Sequence, residues 1–210
     1  FFSEEPVIDL YAAGTSNGMR ARIAVEECGL AYRFHPIDLQ KGEQKLPGFL
    51  AMNPMGQIPV LVDDEGPGGK PLTLSQSTAI LVYCAEKSGR FLPRDPAARA
   101  AMLQALMSAS TDITPTLGAL FGVIRSNEPH GPTADLFRSR VRGYFKVWND
   151  YLGERRYCSG SELTIADLSL YAGYARAKGA VPETCEGLPN LERWAQELGA
   201  RPAIQRATRF

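Results

Sequence analysis

The rhythm of apolar and polar positions changes near residue 90. Before it, short alternating runs dominate. Val7-Ile8-Asp9-Leu10-Tyr11 is a strand-length run that ends in the turn-rich stretch Gly14-Thr15-Ser16-Asn17-Gly18. Met19, Ile23 and Cys28 follow at roughly helical spacing, and Gly29 supplies a natural stop. Tyr32, Phe34 and Pro36 then alternate with Arg33, His35 and Ile37, which predicts a second strand. A strand-helix-strand unit of this kind is expected to be parallel, with a right-handed crossover. A short helix is predicted near 48–52, between Pro47 and Pro54. Ile58-Pro59-Val60-Leu61-Val62 and Pro71-Leu72-Thr73-Leu74 flank a Gly- and Pro-rich loop and read as an antiparallel hairpin. Ser77 to Ser88 reads as a helix stopped by Gly89.

Beyond Pro96, which suits the first turn of a helix, the period becomes helical throughout. Met102, Leu103, Leu106, Met107, Ile113, Leu117 and Ile124 keep one long pattern from Ala97 to about Arg125, and Pro115 predicts a kink in it. A second long helix, about 133–152, carries the stripe Phe137, Val141, Tyr144, Trp148 and Tyr151, read as core. Thr164-Ile165-Ala166-Asp167 reads as a capping box, with Leu163 and Leu168 in hydrophobic-staple positions, and is assigned to folding alone. Residues 192–198 and 202–209 form shorter helices. The fold class is therefore α/β plus all-α. A βαβ-ββα unit of thioredoxin-like order occupies 1–88, a linker 89–95, and an all-helical bundle 96–210.

Charge and composition narrow the class. The chain has 23 Lys+Arg against 23 Asp+Glu in 210 residues, which argues against nucleic acid as a partner. The balance hides an asymmetry: 7 basic against 11 acidic side chains in 1–88, and 16 against 12 in 89–210. No apolar run approaches the roughly 20 residues that span a bilayer. The opening Phe1-Phe2-Ser3-Glu4-Glu5 does not read as a signal peptide. The expectation is a soluble, cytoplasmic protein with no membrane partner. Four cysteines are too few for a disulfide scaffold: Cys28 and Cys84 read as core, Cys158 and Cys185 as near loops and open to solvent. His35 and His130 lack ligand partners at metal spacing, so no metal is expected.

In a thioredoxin-like unit the first strand-to-helix turn presents backbone N–H groups at a helix N-terminus, which stabilises an anion or a thiolate. A cysteine-based reductase would carry Cys-x-x-Cys in that turn. This chain has Thr15-Ser16-Asn17-Gly18, so a cysteine-based oxidoreductase is excluded and any thiol must come with the ligand. Taken alone, Thr15-Ser16-Asn17 is also what a plain helix cap looks like.

Longer motifs add a resemblance. Asn53-Pro54-Met55-Gly56-Gln57-Ile58-Pro59-Val60-Leu61, Leu74-Ser75-Gln76-Ser77-Thr78-Ala79-Ile80 and Leu163-Thr164-Ile165-Ala166-Asp167 occur in the order of a cytosolic glutathione transferase. Leu188-Pro189-Asn190-Leu191 with Trp194, and Ala200-Arg201-Pro202-Ala203, are similar to that family's final helices. Ile8-Asp9-Leu10-Tyr11 with Thr15-x-Asn17-Gly18 resembles the bacterial Nu-type enzymes. The resemblance implies glutathione as co-substrate, a homodimer, and disulfide-bond reductase activity or conjugation to a small electrophile. Carried over by position, it implies Thr15 and Asn17 at the glutathione sulfur, with Ser16 as the serine-type alternative and Tyr11 as the tyrosine-type one. It also implies Ile58 before a cis Pro59 against the cysteinyl backbone, Gln76 and Ser77 at the γ-glutamyl carboxylate, and Gln44 as a further contact. Nu-type enzymes usually have Glu where this chain has Gln76. Arg138 is a candidate for an anionic ligand in the helical part, against the plainer reading of Arg138, Arg140 and Arg142 as a solvated face. The competing function is a non-catalytic glutathione-binding or regulatory module on the same fold.

Overall fold

The computed structural model describes residues 8–210, so Val7 of the first expected strand lies outside the described residues. The chain divides into two compact units. One runs to Arg90 and takes in Pro202–Phe210; the other is Phe91–Arg201.

The first unit contains β1 (Ile8–Ala12), α1 (Ser16–Cys28), β2 (Tyr32–Pro36), α2 (Pro47–Met52), β3 (Val60–Asp63), β4 (Leu72–Ser75) and α3 (Ser77–Ser88). The strands form one sheet in the order β2-β1-β3-β4. The β1–β2 pair is parallel, as a crossover through α1 requires, and β3–β4 is the expected antiparallel hairpin. Leu10, Val60 and Leu61 are fully buried in the sheet, as are Ile23 of α1 and Ile80 and Leu81 of α3. Gly29 and Gly89 end α1 and α3 in the left-handed conformation the sequence predicts. Buried Asp63 ties β3 to α3: Tyr83 Oη and Lys87 Nζ each donate to its Oδ2 at 2.6 Å. Burial opposes ionisation there, but these donors hold the carboxyl below its ordinary range.

The second unit contains α4 (Pro96–Met107), α5 (Thr114–Ile124), α6 (Gly131–Glu154), α7 (Ile165–Ala180) and α8 (Pro189–Gly199). In place of a simple kink at Pro115, a π-helical turn over Ser108–Ile113 separates α4 from α5. Pro115 has no N–H for the carbonyl four residues back and crowds it. The wider turn absorbs the mismatch, and the hydroxyls of Ser110, Thr111 and Thr114 donate to the carbonyls of Leu106, Met107 and Ala109 at 2.8–2.9 Å.

Three expectations change here. The buried stripe of α6 is Ala134, Val141, Phe145, Trp148 and Leu152, rotated from the expected one. Tyr144 and Tyr151 instead line a half-open cavity of about 470 Å³ beside α4. Cys158 and Cys185 are both buried, so none of the four thiols faces solvent. Finally α9 (Pro202–Ala207) packs on α1, in the first unit, where Arg206 pairs with Glu26 at 2.8 Å. With Arg90 and residues 202–210 counted in their compact unit, the charge asymmetry shrinks to 10 basic against 11 acidic side chains and 13 against 12.

Candidate functional site

Sheet register decides which sequence motifs meet. Tyr11 of β1 pairs with Val60 of β3, and Val60 pairs with Ser75 of β4. One step further along these ladders, the chain leaving β1 toward Thr15, the approach to β3 at Ile58–Pro59, and Gln76 after β4 share one end of the sheet. Ile58–Pro59 is cis, as the resemblance implies. Gln76 holds a positive φ of 72°, unusual for a residue with a side chain, and is the N-cap of α3. Ser77, the first residue of α3, is buried.

The turn into α1 depends on Gly18. A Cβ there would lie 2.0 Å from Ala13 O, so only glycine lets residues 13–15 fold back against the helix start. Thr15 is the N-cap, and its Oγ1 accepts from Gly18 N at 3.1 Å. This is the plain cap reading, but capping takes only a lone pair. A threonine hydroxyl also has one hydrogen to donate, and no acceptor for it occurs among the described residues. The first turn of α1 holds no acidic residue, so its dipole and the N–H groups other than that of Gly18 remain available to an anion.

Asn17, two residues beyond Thr15, meets Ser77 across the site: Ser77 Oγ lies 3.2 Å from Asn17 Oδ1. Arg20 joins them, its Nη1 donating to Asn17 Oδ1 and to Ser77 Oγ at 2.8 Å each. Its guanidinium is almost wholly enclosed, and burial lowers its pKa to about 10. Sequence reasoning missed Arg20. Its place among the buried positions of α1, beside Ala21, Ile23 and Ala24, is the only signal that would have found it. Asn53 opens the first of the longer motifs, which by itself assigns it no role. It organises the turn ahead of Ile58: its Nδ2 donates to Gln57 O at 2.6 Å and its Oδ1 accepts from Met55 N at 3.2 Å.

The remaining candidates fall in different places. Ser16 opens α1, partly buried, beside Thr15. Gln44 lies on a loop that packs against this turn, since a Cβ on Gly56 would come within 3.0 Å of Gln44 O. Gln44 Oε1 is buried with no donor among the described residues. Tyr11 does not point at the α1 start. It stacks on His35 across the β1–β2 ladder at 4.4 Å, and burial raises its phenol pKa. Arg138 is committed to carboxylates of its own unit, Asp135 at 2.9 Å and Glu183 at 3.0 Å. Among the described residues no group of His, Cys, Asp and Glu fits a metal, and no helix is long and apolar enough to cross a membrane.

The chain is similar to known proteins along nearly its whole length. Residues 6–86 match the family model described as the glutathione S-transferase N-terminal domain, and residues 121–207 the C-terminal domain. The disulfide-bond oxidoreductase YfcG of Escherichia coli is 33% identical over 203 residues, covering 96% of this chain and 94% of that protein. A glutathione transferase family member from Pseudomonas fluorescens, solved with two glutathione bound, superposes with a TM-score of 0.91 at 30% identity, covering 99% of this chain and 95% of that one. A glutathione transferase from Pseudomonas putida, solved with one glutathione disulfide per subunit, gives a TM-score of 0.89 at 29% identity over 99% and 93% of the two chains. A thioredoxin-like unit, a helical unit and this agreement along nearly the whole sequence lead to one statement: the chain belongs to the glutathione S-transferase family.

Proposed function

We propose that this chain is a glutathione-dependent enzyme that holds the glutathione thiolate at the N-terminus of α1 and uses it to reduce disulfides or to attack a small electrophile. The observation that carries this is the double use of Thr15: its oxygen caps α1 through Gly18 N while its hydroxyl hydrogen remains available to a sulfur. A donor to the charged form lowers the thiol pKa, and the helix dipole adds to the effect.

In disulfide reduction the thiolate attacks one sulfur of the substrate disulfide. A mixed disulfide with glutathione forms and a substrate thiolate leaves. Since all four protein cysteines are buried, a second glutathione thiolate must attack the mixed disulfide, releasing the other substrate thiolate and glutathione disulfide. Relatives solved with two glutathione, or with glutathione disulfide, support this sequence. In conjugation the same thiolate forms a carbon–sulfur bond and the leaving group departs. Ile58 ahead of cis Pro59, Gln76 and Ser77 at the start of α3, and Gln44 through its unpartnered Oε1 would hold the peptide portions of glutathione.

A homodimer and a cytoplasmic location belong to the same reading. Support for self-association comes from large apolar side chains left exposed on α4 and α6, namely Leu103, Met107, Val147 and Tyr151.

Thr15→Val tests the assignment. Turnover in disulfide-reductase and conjugation assays should fall by about 10²-fold, the scale of losing one donor to a developing anion. Thr15→Ser should retain most of it. Wild-type rates in both assays for the Val variant overturn the assignment. Absence of glutathione binding at millimolar concentration in calorimetry would favour a regulatory module that keeps the fold without the tripeptide site.

A further inference from the structure

Arg20 stands apart from the exposed arginines of the chain. It is 1% exposed, one turn into α1, with one guanidinium nitrogen shared between Asn17 on its own helix and Ser77 at the start of α3, 57 residues later. A guanidinium has five donors and no acceptor. The Asn17 atom facing it must therefore be the carbonyl oxygen, and the amide Nδ2 is turned to the other side. Ser77 reinforces the choice, since its hydroxyl accepts from Arg20 and so directs its single hydrogen to the same Asn17 oxygen at 3.2 Å. No acceptor among the described residues takes the Nδ2 hydrogens. An isolated asparagine can flip its amide and present either atom; this one cannot without placing N–H against N–H.

We propose that Arg20 is a positioning residue of the glutathione site: it locks the Asn17 amide with its N–H donors free for the sulfur, and couples that amide to Ser77, where α3 begins. This rests on the glutathione reading above. Its consequence is that the sulfur end and the α3 end of the site share one buried cation, so that neither is set independently.

The test is the ultraviolet titration of the thiolate of glutathione bound to the full chain. Variants are Arg20→Lys and Arg20→Met, each alone and combined with Asn17→Ala, with folding checked by circular dichroism. Arg20→Met should lower the thiolate fraction near neutral pH by about tenfold, one pKa unit. Arg20→Lys, which still donates to Asn17 and Ser77, should stay within about twofold of wild type on the same scale. In the Asn17→Ala background both substitutions should be silent, because the amide they orient is gone.

An unshifted titration in folded Arg20→Met overturns the proposal. So does a shift of equal size in the Asn17→Ala background, which would mean that Arg20 acts through its charge alone. If Arg20→Met does not fold, Arg20→Lys decides: a tenfold loss there overturns the proposal and wild-type behaviour supports it. Wild-type protein that shows no thiolate signal with glutathione refutes the glutathione reading itself, an outcome separate from any failure of Arg20.

Discussion

Two helices of this chain begin with a threonine cap, and they use it in opposite ways. At α7, Thr164 is followed at the third helical position by Asp167. At α1, Thr15 is followed at the same position by Gly18. Asp167 is fully buried and accepts from Thr164 N at 3.0 Å, Cys158 N at 2.8 Å and Trp194 Nε1 at 3.0 Å. That terminus is closed: its own carboxylate already occupies the place an anion would take. Gly18 brings no side chain, so apart from its own N–H, which Thr15 takes, the α1 terminus keeps its first N–H groups and a threonine hydrogen for something from outside. Sulfur makes the contrast sharper. Cys158 sits beside Asp167, where burial first and the neighbouring carboxylate second push its thiol pKa up. A thiol at α1 would meet donors and no carboxylate from the first turn. One residue at the third helical position separates a closed cap from an open helix terminus, the one where the candidate site is placed.

Breaking the closed end should have the largest effect. Asp167→Ala removes the acceptor of four buried donors, the Thr164 hydroxyl among them, and should cost about 3–5 kcal/mol in urea unfolding, since each orphaned partner costs about 1–3 kcal/mol and the sum is not additive. A loss under about 1 kcal/mol would show that α7 does not rely on the box. Next comes Gly18→Ala. Its Cβ would clash with Ala13 O, so the turn must open, and we expect turnover to fall by about 10²-fold or more with a stability loss of about 2 kcal/mol. Unchanged rates would show that the turn's conformation is immaterial to catalysis.

Asn17→Asp converts the open end toward the closed type. A carboxylate there keeps Arg20 satisfied but repels a thiolate, so activity should drop about tenfold while stability holds or rises. The pH dependence of the closed end is a smaller effect, with a defined sign. Burial raises the Asp167 pKa above 3.8. The folded state therefore holds that proton more firmly than the unfolded chain. The contribution to stability is complete below about 3.8 and declines as pH rises through the raised value. The stability difference between wild type and Asp167→Asn should shrink over that interval, and a difference that grows with pH would reverse the assignment. The smallest effect expected is on labelling. No cysteine should react with an aromatic disulfide reagent in the native protein, and Asp167→Asn should leave Cys158 just as slow, because burial outweighs the carboxylate.

Much of this was legible in the residues. Period-2 runs and their Gly and Pro boundaries located the four strands. Thr164 and Asp167 announced the box, because capping is a local matter of four residues. The pairing of Thr15 with Asn17 and of Ile58 with Pro59 was legible only through motifs, since the register that gathers them at one end of the sheet is long-range. Arg20 was invisible because an arginine on a helix is normally solvated, and only the fold brings Ser77 within 2.8 Å of it. The α6 stripe was misread by a fraction of a turn. Tyr144 and Tyr151 obey the same spacing as core residues, and spacing cannot tell a packed face from a cavity wall. The helix after α8 is legible in the pattern, but nothing local says which unit a six-residue helix will join.

That last helix has a consequence for how the protein is made. Because α9 packs on α1 and Phe210 meets Phe34 edge-on at 5.7 Å, the unit that carries the candidate site is built from both extremities of the described chain. Synthesis proceeds from the amino end, so residues 91–201 leave the ribosome before the final piece of the first unit exists. A nascent chain stalled short of Pro202 would have every strand of the sheet and the whole turn at Thr15, yet α1 would lack its cover and Glu26 its Arg206 partner. The helical unit has all its residues first, and the site-bearing unit is the last to close.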